Sequence, residues 1–166
     1  MNPELESIRK RRRMPYVPGL ALKTAQTMIN AGLKEADKYG IPVSIAVSDS
    51  AGNLLAFGRM ENATLFSIQI AMDKAYTAVF GKCHTEDWGK RYASGKLVPL
   101  YFHERWITFS GGLPLIRDET VCGGVGVSGA VTEDIYIARA VIKAGGFNLD
   151  EVDAAIERIE SGNKKE

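Results

Sequence analysis

Apolar residues recur along this chain at two different spacings, and the switch between them marks out the elements. Leu22, Ala25, Ile29, Leu33 and Ala36 step by three or four, which predicts a helix over about 20–39 with one apolar face. Gly40 stops it, with Pro42 two residues on. Val43 to Val47 and Leu54 to Arg59 are β-rich runs, and the Asp49-Ser50-Ala51-Gly52-Asn53 segment between them favours a tight turn, so the pair predicts a hairpin. Helical spacing returns with Leu65, Ile68, Met72, Ala75 and Val79, ending at Gly81, and a shorter helix is expected near 86–94. From Trp106 onward, Ile107 to Phe109, Pro114 to Ile116 and Val121 to Val127 read as strands, broken by Gly111-Gly112 and Gly123-Gly124. Glycine within strands permits close backbone approach. Thr132, Glu133 and Asp134 suit the start of a further helix as caps and first-turn acids, Gly145-Gly146 ends it, and Asp150 opens a last one with Val152, Ala155, Ile156 and Ile159.

Neighbouring strands are joined by hairpin-like links, which demand antiparallel pairing. The expected fold class is therefore α+β, with helices layered on one antiparallel sheet of about five strands. A chain of 166 residues, 45% hydrophobic and 25% charged, suits one such domain over 20–166, preceded by an arm over 1–19. The arm holds Arg9, Lys10, Arg11, Arg12 and Arg13 in succession. Removing these five of the 21 basic residues leaves 16 against 20 acidic ones, so the body is mildly acidic. The basic run lacks interleaved aromatics and reads as a solvated or partner-docking arm, which argues against nucleic acid as a partner. No apolar run nears the roughly 18 residues of a membrane span, and charges stand where a signal peptide would be apolar, so a cytoplasmic location without membrane contact is expected. Cys83 and Cys122 are too few and too distant for a disulfide framework or a thiolate metal site.

Four segments carry a family resemblance: Val43-Ser44-Ile45-Ala46-Val47 followed by Asp49 and Gly52; Asp73-Lys74-Ala75-Tyr76-Thr77-Ala78; Gly111-Gly112-Leu113-Pro114-Leu115; and Gly123-Gly124-Val125-Gly126-Val127-Ser128-Gly129. In this order they resemble the GlcG/HbpS family, which also includes the C-terminal domain of PduO-type proteins, over roughly residues 20–146. The resemblance implies a profilin-like α/β/α fold and assembly into homo-oligomers, for which a dimer or a multiple of dimers is expected. In some members it also implies binding of haem or a related tetrapyrrole, while other members stand beside enzymes of small-molecule catabolism. Where the PduO-type branch has a histidine near the N-terminus that serves haem, this chain has Arg13, Met14, Pro15 and Tyr16.

The chemistry-bearing residues narrow the choice. No phosphate loop or dinucleotide fingerprint is present, and His84 and His103 do not form an H-x-x-x-H pair, which disfavours nucleotide hydrolysis and a zinc site. His103 lies in Val98-Pro99-Leu100-Tyr101-Phe102-His103-Glu104-Arg105-Trp106, where aromatics, a base and a guanidinium crowd before Gly111-Gly112. There His103 could serve as axial haem ligand or general acid/base, Arg105 could pair with a carboxylate, and Tyr101 could line the pocket. Gly111 and Gly112, with Pro114 after them, could present amides to an anion, and Lys74 could neutralise one; Asp49 either holds its turn or faces the ligand. The expected function is binding of a small organic ligand or a haem-like tetrapyrrole in an accessory role. The alternatives are a catabolic isomerase, hydratase or hydrolase acting through His103 and Arg105, and a non-catalytic assembly module.

Overall fold

The computed structural model describes residues 19–94 and 104–162, with side chains through 158. Tyr101, His103 and the basic run Arg9 to Arg13 lie outside the described residues. The described elements are α1 (Leu22–Lys38), β1 (Ser44–Asp49), β2 (Leu54–Arg59), α2 (Phe66–Gly81), α3 (Thr85–Ala93), β3 (Gly112–Arg117), β4 (Thr120–Ser128), α4 (Asp134–Ala144) and α5 (Leu149–Gly162).

Glycine at positive φ ends two of the helices. Gly40 (φ 65°) follows α1, with its N–H on the Asp37 carbonyl and that of Ile41 on Ala36; Gly146 (φ 77°) follows α4, with Phe147 reaching back to Ile142. Both are paired 5→2 and 6→1 closures, which satisfy helix-end carbonyls. The second also drops Phe147 into the core.

The four described strands form one antiparallel sheet in the order β2-β1-β4-β3. Its two faces differ because alternate residues differ. Ile45 and Val47, Leu113 and Leu115, and Val125 and Val127 turn to one side and make the main core with α1 and α4. The opposite side carries Ala46, Gly126 and Gly112, which are register neighbours across three strands, and α2 lies on it through Ala71 and Ala75. With nothing larger than methyl groups between these positions, the helix backbone approaches the sheet closely. A Cβ at Gly126 would collide with the Ala71 carbonyl oxygen, and one at Gly124 with that of Ala75.

Two expectations are corrected here. The sheet has four described strands rather than five, because Ile107 to Phe109 forms a loop. Its backbone groups bond to threonines instead of a ladder: Thr77 Oγ1 accepts the Ile107 N–H (3.0 Å) and donates to the Arg105 carbonyl (3.0 Å), and Thr85 Oγ1 donates to that of Phe109 (2.5 Å). Second, the buried residues of α2 are Ser67, Ala71, Asp73, Lys74, Ala75, Thr77, Ala78 and Val79: of the expected face Ala75 and Val79 are inside, Ile68 and Met72 are half-buried, and Leu65 is 76% exposed. The glycine face of the sheet accepts a small-residue helix stripe in preference to the larger apolar one.

Candidate functional site

Lys74 sits in that small-residue stripe, one turn after Ala71 and one before Ala78, so the helix carries its side chain against the sheet. It is 1% exposed. The ammonium donates to the Val127 carbonyl and to Oδ2 of Asp134, each at 2.7 Å. Asp134 is also buried, and its Oδ1 accepts the Ala130 N–H at 2.9 Å. Burial pushes the Lys74 ammonium below its ordinary pKa, with the Asp134 charge and hydrogen bond opposing.

This pair forms the floor of a cleft of about 140 Å³ walled by Phe66, Ile70, Phe109 and Val131, with Ser128 and Gly129 at its edge. Phe66 (71%), Phe109 (59%) and Val131 (66%) are exposed, so the rim is an apolar surface open to solvent. Gly111 closes the floor from the side. It adopts φ 105°, and a Cβ there would stand 2.6 Å from Asp134 Cβ and 3.2 Å from Lys74 Nζ. That Cβ would also stand 2.7 Å from the Val127 carbonyl oxygen, so a side chain at this position would push the pair apart.

The sequence-predicted residues divide between this cleft and other places. Lys74 lines it, and Gly111 packs behind the pair against Asp134 and Val127. Gly112 is adjacent, but its N–H donates to Thr85 Oγ1 (3.0 Å) and is turned into the fold. Pro114 is buried in β3 opposite Gly124. Arg105 is held elsewhere on α2: its Nε donates to Asp73 Oδ1 (2.9 Å), and its guanidinium carbon lies 3.9 Å over the Tyr76 ring. Asp49 holds its turn, Oδ1 accepting the N–H groups of Ala51 and Asn53 at 2.9 Å. It pairs with Gly123, five residues from cleft residue Ser128 along β4, roughly 17 Å at the rise of a strand.

Asp134 was expected to cap its own helix, and that reading is corrected. The helix starts on Glu133 without a side-chain cap, and the Asp134 carboxylate binds Lys74 and Ala130 instead. The signal for a buried partner was a lysine within the alanine stripe Ala71, Ala75, Ala78, but nothing local pointed to a residue 60 positions away. Thr85, also missed, is fully buried and ties α3 to both Phe109 and Gly112. Thr85→Val, which keeps the shape and leaves two backbone groups unpaired, is expected to lower stability by about 1–3 kcal/mol in denaturant unfolding. A change below about 0.5 kcal/mol, the ordinary range of surface substitutions, would show that the loop before β3 does not depend on this hydroxyl.

His84, the described histidine, is the residue before α3 and lies outside the cleft. Its Nε2 is 3.3 Å from Asp153 Oδ1, and Arg139 holds Oδ2 of the same carboxylate. Among the described residues no cluster of histidine, cysteine and acidic side chains could hold a metal ion, and no helix is long and apolar enough to cross a membrane.

Comparison with known proteins places this geometry in context. A family model described as haem degrading protein HbpS-like matches residues 20–143. Protein GlcG of Escherichia coli K12 is 34% identical over 113 residues, covering 66% of this chain and 81% of that protein. The crystal structure of Klebsiella pneumoniae protein ORFY superposes with TM-score 0.74 at 32% identity, covering 81% of this chain and 96% of that one. That of a PduOC:heme complex does so with TM-score 0.71 at 30% identity, covering 76% and 94%.

Proposed function

This chain belongs to the HbpS-like family, and from that premise we propose that it binds a small organic ligand or tetrapyrrole in the cleft above Lys74 and Asp134. We place it as a cytoplasmic homo-oligomer, a dimer or multiple of dimers, accessory to a small-molecule catabolic pathway; the family resemblance supports the assembly and the pathway, and the charged N-terminal segment without an apolar run supports the location. The observation that carries the binding reading is the exposed apolar rim of Phe66, Phe109 and Val131 over a buried, charged floor. Such a combination of apolar walls with a few convergent polar groups is what a ligand site requires.

Haem is one instance, and the described residues fit it in part. A tetrapyrrole offers a flat apolar ring and carboxylates, and its iron takes a histidine, methionine, cysteine or tyrosine as axial ligand. The walls suit the edge of the ring. None of the described lining residues is an iron ligand, and a volume of about 140 Å³ receives an edge rather than a whole macrocycle. We therefore read the cleft as a site for the organic ring, with His103 as the candidate to supply iron ligation.

Titration with haemin and with metal-free protoporphyrin IX, followed by absorbance, tests this. Both are expected to bind, and Phe66→Ser and Phe109→Ser to weaken both about tenfold, the effect of uncovering one aromatic side chain. Melting should move little, since both residues are exposed. Failure of both compounds to bind, or binding indifferent to both substitutions, would overturn the reading. So would binding confined to haemin and lost in His103→Ala.

A further inference from the structure

A buried ion pair is a poor way to gain stability, because desolvating two charges offsets their attraction and apolar residues of similar size commonly do as well. Lys74 and Asp134 are each 1% exposed, yet they are not enclosed on every side. They line a cleft that opens to solvent past Phe66, Phe109 and Val131. An ammonium has three N–H donors. Two are taken by Val127 and Asp134, and the third has no acceptor among the described residues.

We propose that Lys74 is a nucleophilic amine that forms an imine with small aldehydes or ketones entering the cleft, with Asp134 as its proton acceptor and donor. This rests on the reading of the cleft as a ligand site and names a chemistry for its floor. The Asp134 carboxylate stands at hydrogen-bond distance, as a base activating a lysine must. Burial, which disfavours the ammonium, works in the same direction. A cavity of about 150 Å³ takes up a benzene-sized molecule, so a volume of about 140 Å³ suits a compound of up to roughly six carbons.

The step balances without a further reagent. A proton passes from the ammonium to Asp134 Oδ2, and the amine lone pair attacks the carbonyl carbon while the C=O pair moves onto oxygen. Transfer of one N–H proton to that oxygen gives the carbinolamine. Asp134 then returns its proton to the hydroxyl, the C–O bond breaks, water leaves, and the nitrogen lone pair closes the C=N bond. The product is a protonated imine beside the Asp134 carboxylate. The floor therefore carries the same charges before and after, and no new buried charge is created. Val127, whose carbonyl holds Nζ, and Gly111, which lets the backbone pack tightly against Asp134 and Val127, position the amine.

The test is reductive trapping on the full chain with glycolaldehyde, and separately pyruvate, in cyanoborohydride, followed by digestion and mass measurement of each lysine peptide. Lys34 and Lys143, both exposed, serve as internal references. The expected result is labelling of Lys74 roughly tenfold ahead of the references in folded protein, as for an amine activated by a neighbouring base. That preference should vanish in protein unfolded beforehand and in Asp134→Asn. The wild-type comparison stands whether or not the variant folds. Labelled references with an unlabelled Lys74 in folded protein would overturn the proposal. Adding protoporphyrin IX separates the two readings. Porphyrin binding with Lys74 unlabelled defeats only the imine. Labelling of Lys74 without porphyrin binding supports the imine and defeats only the ring ligand.

Discussion

Lys74→Met is expected to cost about 3–5 kcal/mol of stability, the range found when one member of a buried pair is removed and its partner stays behind. The substitution nearly preserves volume and leaves α2 an apolar side chain against the sheet, so packing is not the cause. Asp134 remains buried with one hydrogen bond, from Ala130, and without its cation. The Val127 carbonyl also loses a donor. The double variant Lys74→Met/Asp134→Leu removes the stranded charge and should return most of the loss, to within about 2 kcal/mol of wild type. Denaturant unfolding of the three proteins decides it. A double variant as unstable as Lys74→Met would place the cost in the methionine's packing and not in the charge of Asp134.

Gly126→Val is the other substitution with a large expected effect, about 3 kcal/mol or more, and its mechanism is steric. Its Cβ would strike the Ala71 carbonyl oxygen and stand 2.6 Å from the Ala75 nitrogen and 2.9 Å from Lys74 Cβ. The first two are helix backbone, which cannot swing aside as a side chain can, so α2 must lift from the sheet. Lifting α2 moves Lys74 away from Asp134, so weakened ligand binding should accompany the loss of stability. Gly40→Ala is the contrast: its φ of 65° makes alanine strained, but nothing lies within 4 Å of the added Cβ. It should cost about 1 kcal/mol, the conformational part alone. If the two glycine variants melt together, the close approach of α2 to the sheet is not a constraint on this fold.

The helix and hairpin periods, the glycines that end α1 and α4, and the turn at Asp49 were legible in the sequence because each depends on interactions within a few residues. The glycine spacing in β4 likewise announced a close backbone approach, although not which element would come close. The family motifs were legible too, as a resemblance that the comparisons bear out. The loop at Ile107 to Phe109 was not, since its β-rich composition is the same whether the backbone pairs with a strand or with the hydroxyls of Thr77 and Thr85. Nor was the cleft, whose floor joins residues 60 apart and whose rim joins α2, the loop before β3 and the turn after β4. The alanine stripe around Lys74 hinted at burial, but what makes a buried lysine tolerable is whether a carboxylate waits at the other end of the side chain, and only the packing of α2 and α4 across β4 brings Asp134 there.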